Sequence, residues 1–291
     1  MIFGSLFALL SSVLSGITPN LLRNVTRRVH PIYVNSFKLL FALIFFSFFL
    51  PFIIPENLSQ ISLRSILLTI FISFSGPFVA WTSYMYAISK SDVSLVHPVM
   101  GTYPAYAILY DFIFFSVKPN ILSIFGYFFI IFGLCFISRD DSGTRVSSKK
   151  GLPFAFFTAF LWGTNSFLFK IILEDINPLF LSYLRILFAI PFALPIMINF
   201  FVKKHKFSKR DFLLILLSGI IGDLFVVFFY FKSISLAHLF IVVPISATSP
   251  VFSALIAMFI HKEKIGLKRA IGITGALAGT LILVIVSYIF S

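Results

Sequence analysis

The chain has 291 residues, of which 59% are hydrophobic and 11% charged, with a mean hydropathy of +1.04. A soluble globular domain is roughly 45–50% apolar and about 25% charged, so this composition excludes a soluble enzyme and a disordered chain. The formal net charge is +13. A single cysteine, Cys135, leaves no disulfide framework and no cysteine-built metal site. The composition therefore predicts a chain that is solvated mostly by lipid.

Ten apolar runs, bounded by charged residues, proline or glycine, follow one another along the sequence. A helix needs about 20 apolar residues to cross the hydrocarbon core, so ten such helices use the whole length. They are predicted at 2–22, 33–54, 65–88, 93–116, 120–138, 151–172, 178–201, 211–233, 237–260 and 266–289. The first run has full spanning length and no preceding Lys or Arg, which favours a membrane span over a cleavable signal peptide. The polar segment 139–150 is predicted to link a first half, 1–138, to a second half, 151–291.

The second half repeats the first at a nearly constant offset. A shift of 147 positions, reduced to 146 after the second loop, aligns glycine with glycine and proline with proline many times. The matched pairs include Gly4 with Gly151, Gly16 with Gly163, Lys38 with Arg185, Gly76 with Gly222, Pro98 with Pro244, Pro104 with Pro250, Gly126 with Gly272 and Gly133 with Gly279. Because each half has five spans, the second half must cross the membrane in the opposite orientation. The predicted fold class is an all-α polytopic membrane protein of ten transmembrane helices, arranged as two inverted five-helix repeats.

The loop charges change sides between the halves, as an inverted repeat requires. Arg23, Arg27 and Arg28 follow the first span, whereas Glu174 and Asp175 follow its counterpart. Most Lys and Arg residues fall on the face opposite both termini, and the positive-inside rule makes that face cytoplasmic. We therefore expect both termini outside the cell membrane and the 139–150 linker in the cytoplasm. This distribution explains the net charge without a nucleic-acid partner.

Several motifs of the second half resemble the EamA-type repeat of the drug/metabolite transporter superfamily. They are the Leu-Trp-Gly-Thr-Asn run at 161–165, the Tyr-Leu-Arg-Ile-Leu-Phe-Ala run at 183–189, and the Pro-Val-Phe run at 250–252 with Glu263, Gly272 and Gly279. The first half departs from this pattern, because Ser15 replaces the tryptophan, Lys38 the arginine, and Val117 the glutamate. The resemblance implies two inverted five-helix repeats around a central cavity walled by helices 1, 3, 4, 6, 8 and 9.

The candidate site residues follow from the expected position of a substrate site in an inverted repeat. Such sites lie near the bilayer midplane, at the repeat interface, where helices are broken. The matched prolines Pro98, Pro104, Pro244 and Pro250 interrupt spans 4 and 9 and free backbone carbonyls; a fixed packing kink is the alternative. The predicted cavity lining consists of Trp162, Asn165, Trp81, Tyr84, Tyr103, Tyr230 and Ser249. With 41 Phe and 10 Tyr in the chain, ordinary packing remains the alternative for each aromatic residue.

Asp223 is the acid that lies deep in a span, roughly 18 Å from the cytoplasmic end of span 8 at about 1.5 Å per residue. An ionisable residue at such depth is a functional hypothesis by default, and we consider substrate or proton coupling for it. The alternatives are an ion pair with Arg185, at similar depth, and a neutral buried acid. Lys38 and Arg185 are expected near opposite faces of the bilayer, snorkelling or pairing there. Asp111, near the outer end of span 4, is expected to be solvated.

These features predict a secondary active transporter that moves a small organic metabolite by alternating access, as an exporter or exchanger. The amino acid-like substrate class rests on the family resemblance, and coupling to protons stays open. The alternatives are a flippase or scramblase for lipids or lipid-linked sugars, and a membrane scaffold without transport. The sequence contains no nucleotide-binding loop and no metalloprotease motif, so we expect no enzyme activity, no cofactor and no metal. A monomer or weak homodimer in the bilayer is expected.

The predicted orientation can be tested with single cysteines in a Cys135→Ser background. An impermeant thiol reagent added outside should label a cysteine placed at Ser291 and should not label one at Ser147. Labelling after the membrane is opened serves as the control for both sites. The reverse pattern would contradict the orientation and leave the repeat intact.

Overall fold

The structure, a computed structural model, describes residues 1–26, 28–54, 61–91, 96, 99–137, 149–261 and 266–289. Within these ranges the chain forms ten helices, α1 to α10, and no strand. The first half contains α1 (Ile2–Thr26), α2 (Pro31–Phe48, continued by Leu50–Ile53), α3 (Leu63–Phe74, Ser75–Ala80 and Trp81–Lys90), α4 (Tyr103–Phe115) and α5 (Ile121–Ile137). The second half contains α6 (Leu152–Ile172), α7 (Pro178–Val202), α8 (Lys209–Gly219, Ile220–Val226 and Val227–Leu236), α9 (Leu239–Ser246 and Ser249–His261) and α10 (Leu267–Ile289).

The helices have the length and apolar character of membrane spans. Eight described helices are long and apolar enough to cross a bilayer, and α4 and α5 are shorter apolar helices. The predicted all-helical, polytopic fold class is therefore confirmed. The predicted second span, 33–54, is interrupted at Phe49, where α2 ends and a short turn of helix continues to Ile53. Of the linker 139–150, the structure describes residues 149 and 150, and Pro98 also lies outside the described residues.

Capping residues explain where several helices begin. Asn177 accepts a hydrogen bond from the Phe180 backbone N–H, and Pro178 occupies the first turn of α7. Ser208 forms a capping box with Asp211 at the start of α8. Its equivalent in the first half, Ser62, caps α3 through the Ser65 backbone N–H. The same type of cap therefore starts the third helix of each half.

Equivalent helices of the two halves pack against each other. Helix α2 packs on α7, and α5 packs on α10. On α2, Tyr33 contacts Phe200 whereas Phe46 contacts Tyr183, so the chain directions of α2 and α7 are antiparallel. Antiparallel packing of equivalent helices is what an inverted repeat requires. The inversion itself stays a prediction, and this packing agrees with it.

Irregular backbone occurs at equivalent places in the two halves. Both α3 and α8 contain a π-helical segment, Ser75–Ala80 in one and Ile220–Val226 in the other. The chain also leaves regular helix just before Tyr103 and just before Ser249. At these breaks the Thr102 and Thr248 hydroxyls each donate a 2.6 Å hydrogen bond to the carbonyl three residues earlier. π-Helical segments are frequent at functional sites, so these positions are candidates for a functional site.

The prolines occupy different places in these breaks than a mid-helix kink would require. Pro104 and Pro250 lie in the first turn of a restarting helix, where the missing N–H costs nothing. Both prolines therefore adjoin the interruptions expected in spans 4 and 9, whereas the alternative of a packing kink would place them within a continuous helix. Of the matched prolines in spans 4 and 9 that the structure describes, Pro244 alone lies inside a regular helical segment, Leu239–Ser246.

The contact between α5 and α10 depends on glycines at matched positions. A Cβ added to Gly133 would lie 2.5 Å from both the Ala276 nitrogen and the Gly272 oxygen, and one added to Gly279 would lie 2.4 Å from the Gly126 oxygen. Since these neighbours are backbone atoms, they cannot move aside as a side chain would. The glycines therefore set the distance between the two helices, as small residues do in other membrane helix pairs.

We predict that Gly133→Ala destabilises the protein by about 1–3 kcal/mol, because the new methyl group overpacks a backbone contact. Gly275→Ala is the matched control on the facing helix, since its added Cβ would lie 3.5 Å from the nearest atom, Phe132 Cδ1. Thermal melting of both variants in detergent measures the difference. Equal melting temperatures would contradict the close contact.

Candidate functional site

Three aromatic residues from three helices meet beside α6. The Trp162 ring lies 6.0 Å, between ring centroids, from the Tyr84 ring of α3 and 6.0 Å from the Tyr103 ring of α4. The Tyr103 ring meets Trp162 edge-on at 85°. Edge-to-face packing of this kind is a preferred arrangement of aromatic pairs. We call Tyr84, Tyr103 and Trp162 the aromatic cluster.

Polar groups extend from the aromatic cluster along α6. Asn165 is 2% exposed and accepts a 2.8 Å hydrogen bond from Ser75 Oγ, in the π-helical segment of α3. Its Nδ2 has no hydrogen-bond partner among the described residues. The next residue, Ser166, shares a 2.7 Å hydrogen bond with the Tyr230 hydroxyl of α8. Helix α6 thus carries both an aromatic and a polar contact to the surrounding helices.

The Tyr103 hydroxyl connects the two broken helices. It donates a 3.4 Å hydrogen bond to the Val243 carbonyl of α9, beside Pro244. The structure therefore brings together Tyr84, Tyr103, Trp162, Asn165 and Tyr230 around α6 through ring contacts and hydrogen bonds. Trp81 and Ser249, also predicted for this site, begin helical segments of α3 and α9 but take no part in the contacts described for these five.

Asp223 lies between two cations. Its Oδ1 accepts a 3.3 Å hydrogen bond from Arg185 Nη2, and its Oδ2 lies 3.2 Å from Lys38 Nζ. Arg185 and Lys38 are each 9% exposed and Asp223 is 7% exposed. The ion pair considered for Asp223 and Arg185 is present, and Lys38, the counterpart of Arg185 in the first half, completes it. The expectation that both cations snorkel near opposite faces is wrong, because both turn inward to one carboxylate. We call these three residues the charge cluster.

Asp111 and Lys170 form a second buried ion pair, which the sequence reasoning missed. Asp111 is fully buried, and its Oδ1 accepts a 2.6 Å hydrogen bond from Lys170 Nζ. The Lys170 ammonium also lies 4.2 Å from the centre of the Phe115 ring. Solvation of Asp111, expected from its position near the end of span 4, is therefore wrong. The sequence signal that could have predicted this pair is an isolated acid, Asp111, on one span and an isolated base, Lys170, at similar depth on another.

The two ends of the molecule carry equivalent polar contacts. Arg28, after α1, pairs with Asp211 in the first turn of α8. Its counterpart in the repeat, Asp175, follows α6 and accepts hydrogen bonds from Ser62 and Ser65 at the start of α3. Those hydrogen bonds hold the pKa of Asp175 below its usual value. A polar contact between the two halves is thus present at both ends, as an ion pair at one end and as hydrogen bonds from serines to a carboxylate at the other.

Two cavities lie away from the aromatic cluster. One, of about 410 Å³, lies between α4, α5 and α9 and is lined by Ala105, Ile108, Leu109, Phe112, Pro119, Ser123, Ile124, Tyr127 and Phe240. Several of these side chains, including Leu109 and Phe112, are exposed on the outer surface, so this cavity opens toward lipid. The other, of about 250 Å³, is lined by Asn24, Arg28, Arg210 and Leu214, near the ends of α1 and α8. Neither contains the residues predicted from sequence.

This combination of apolar spans, matched irregular segments and a buried polar centre defines a polytopic membrane transport protein. The sequence pattern of the EamA-like transporter family matches residues 2–139 and 149–285, which is one match for each half. The chain belongs to the EamA-like transporter family.

Further comparisons agree with this assignment. An uncharacterized transporter of Archaeoglobus fulgidus is 23% identical over 225 residues, covering 77% of this chain and 78% of that protein. A crystal structure of another protein shares the fold with a TM-score of 0.80 at 12% identity, over 97% of this chain and 98% of that one. The last similarity concerns the fold alone.

We predict that Asp111→Asn lowers the free energy of unfolding by about 3–5 kcal/mol, because it leaves the Lys170 ammonium without its partner. The control is Arg28→Gln, which breaks a pair whose arginine side chain is 57% exposed and is expected to cost about 1 kcal/mol or less. Thermal melting in detergent compares the two. Similar shifts for both variants would contradict the burial of the Asp111 pair.

Proposed function

We propose that the protein is a secondary active transporter that moves a small organic metabolite across the cell membrane by alternating access, as an exporter or exchanger. The observation that carries this proposal is that residues of the interrupted helices α3, α4, α8 and α9, from both halves, meet around the aromatic and polar residues of α6. In the inverted-repeat transporters, discontinuous helices hold the substrate near the midplane. The family membership supports transport of a small molecule, and the amino acid-like class is part of the proposal.

The aromatic cluster and the polar side of α6 serve as the substrate site in this proposal. Trp162 and the two tyrosines supply ring faces for an organic group. The unpartnered Asn165 amide supplies a hydrogen-bond donor, whose burial otherwise costs free energy. Rocking of one set of helices against the other then exposes this site to one face of the membrane and then to the other. In this proposal the protein moves its substrate without changing it chemically.

The contacts at the two ends of the molecule fit such a cycle. Gly151 at the start of α6 donates a 2.8 Å hydrogen bond to Ser91 Oγ after α3. The equivalent Gly4 at the start of α1 approaches Ala237 after α8, with an added Cβ only 2.6 Å from the Ala237 Cβ. A close contact between a first and a third helix thus exists at each end. We propose that these contacts open and close in alternation, with both termini outside and the 139–150 linker in the cytoplasm.

A lipid flippase remains the second candidate because of the cavity of about 410 Å³ between α4, α5 and α9. An apolar opening toward the bilayer is what a lipid chain would need. The side chains that line it include no cation to receive a phosphate headgroup. This observation ranks lipid transport below metabolite transport.

The direct test is exchange of labelled metabolites by purified protein in liposomes. Liposomes are loaded with amino acids or related compounds, and uptake of the labelled compound from outside is measured with and without a pH gradient. Translocation of fluorescent lipids is measured in parallel. Saturable metabolite exchange that is absent from protein-free liposomes supports the proposal. Lipid translocation without metabolite exchange would replace it by the flippase function.

We predict that Asp223→Asn abolishes proton-driven accumulation if Asp223 couples protons to transport. It also removes the carboxylate that both Lys38 and Arg185 face, so a loss of about 3–5 kcal/mol in stability is expected. Asp223→Glu keeps the charge and is the matched control. Uptake is measured in liposomes and normalised to the monodisperse protein recovered, with melting temperature measured in detergent. A folded Asp223→Asn variant that still accumulates substrate against a gradient would remove Asp223 from the mechanism.

A further inference from the structure

The charge cluster does not balance. Two cations, Lys38 and Arg185, face the single carboxylate of Asp223, and all three residues are buried. One carboxylate neutralises one of the two positive charges. The pair of Asp111 and Lys170, by contrast, contains one charge of each sign. The charge cluster therefore carries one surplus positive charge in a region where an unpaired charge is expensive.

The other acids of the described residues are engaged elsewhere. Asp111 pairs with Lys170, Asp211 pairs with Arg28, and Asp175 accepts from two serines at the start of α3. Glu174 is exposed between α6 and α7. The surplus charge on α2 and α7 thus has no second acid assigned to it from α1, α3, α6 or α8.

Unpartnered polar atoms surround the same place. Arg185 Nε is buried without a hydrogen-bond acceptor among the described residues, and so is the Ser218 hydroxyl, one residue before Gly219. Gly219 packs directly on the Lys38 backbone. On the other side, the unpartnered Thr18 hydroxyl of α1 lies 3.1 Å from the position of a Cβ on Gly222, the neighbour of Asp223. Asp223 Oδ2, which lies 3.2 Å from Lys38 Nζ, also has no hydrogen-bond partner among the described residues. Buried polar atoms without partners cost free energy.

We propose that the charge cluster binds the carboxylate of the transported molecule, so that the substrate is an organic anion or a zwitterion. This rests on the transport function proposed above and deepens it. A bound carboxylate brings the cluster to neutrality and offers acceptors to Arg185 Nε and Lys38. Charge-assisted hydrogen bonds of this kind are the strong ones.

If the charge cluster carries a surplus positive charge, removing Lys38 and removing Lys170 should change the stability in opposite directions. Lys38→Met leaves Asp223 and Arg185 as a balanced pair, so its melting temperature in detergent should equal or exceed that of the unmodified protein. Arg185→Met leaves a balanced pair as well and should behave alike. Lys170→Met strands Asp111 and should melt at a lower temperature. If the melting temperatures of Lys38→Met and Arg185→Met both decrease as much as that of Lys170→Met, the inference of a surplus positive charge is overturned.

Ligand binding is tested by the same melting assay with added anions. Acetate and phenylacetate should raise the melting temperature of the unmodified protein saturably, whereas phenethylamine, which has no carboxylate, should not. In Lys38→Met, the anion concentration that gives half of the maximal stabilisation should rise roughly tenfold to a hundredfold, as expected for the loss of one hydrogen bond to a charged group. Lys232→Met removes a positive charge from α8 without touching the cluster and should keep the response. Equal stabilisation by chloride, or an undiminished response in Lys38→Met, would overturn the assignment to a carboxylate.

The readouts separate this inference from the transport proposal. Carboxylate binding without exchange in liposomes leaves the site standing and removes the transport function. Exchange of amines or neutral compounds, with no carboxylate response in melting, keeps the transport function and removes the site.

Discussion

A charged or polar side chain inside the hydrocarbon core has no water to pair with, so its partner must come from another helix. In the part of the chain that the structure describes, the charges of one half are largely satisfied by the other half. Lys38 reaches Asp223, Asp111 reaches Lys170, and Arg28 reaches Asp211. Each of these pairs joins the first half to the second. Neither half is therefore chemically complete alone, and the contacts that neutralise charge also hold the repeats together.

Much of the fold could be predicted from the sequence because the signals are periodic and repeated. Hydropathy indicated the spans, and glycine and proline at a constant offset indicated two halves. The exact break points could not be predicted in the same way. Pro104 and Pro250 indicated irregular backbone, but a proline is compatible with the first turn of a helix, so each break precedes its proline. Of the two π-helical segments, the first contains Pro77, whereas the second contains no proline.

The candidate site was predictable in its residue types and less so in its pairings. Trp162, Asn165 and Tyr230 were found from their polar or aromatic character on predicted spans, and the structure joins them around α6. The depth of Lys38 along its own helix suggested a position near the membrane surface. Depth along one helix says nothing about which neighbour lies beside it, and the neighbour here is an acid. Lateral packing, which decides these pairings, is not encoded in any single span.

The residue differences between the halves have an energetic consequence for the proposed cycle. If two inverted repeats had identical sequences, the outward-facing and inward-facing conformations would be equivalent by symmetry. The two conformations would then be equally populated. Here the position equivalent to Asp223 is Pro77, and that equivalent to Asp111 is Ala257. These charges are present on one side of the pseudosymmetry and missing on the other, so the two conformations differ in free energy. In the proposed cycle, divergence of the two halves at a few charged positions would therefore give the unliganded protein a preferred direction to face.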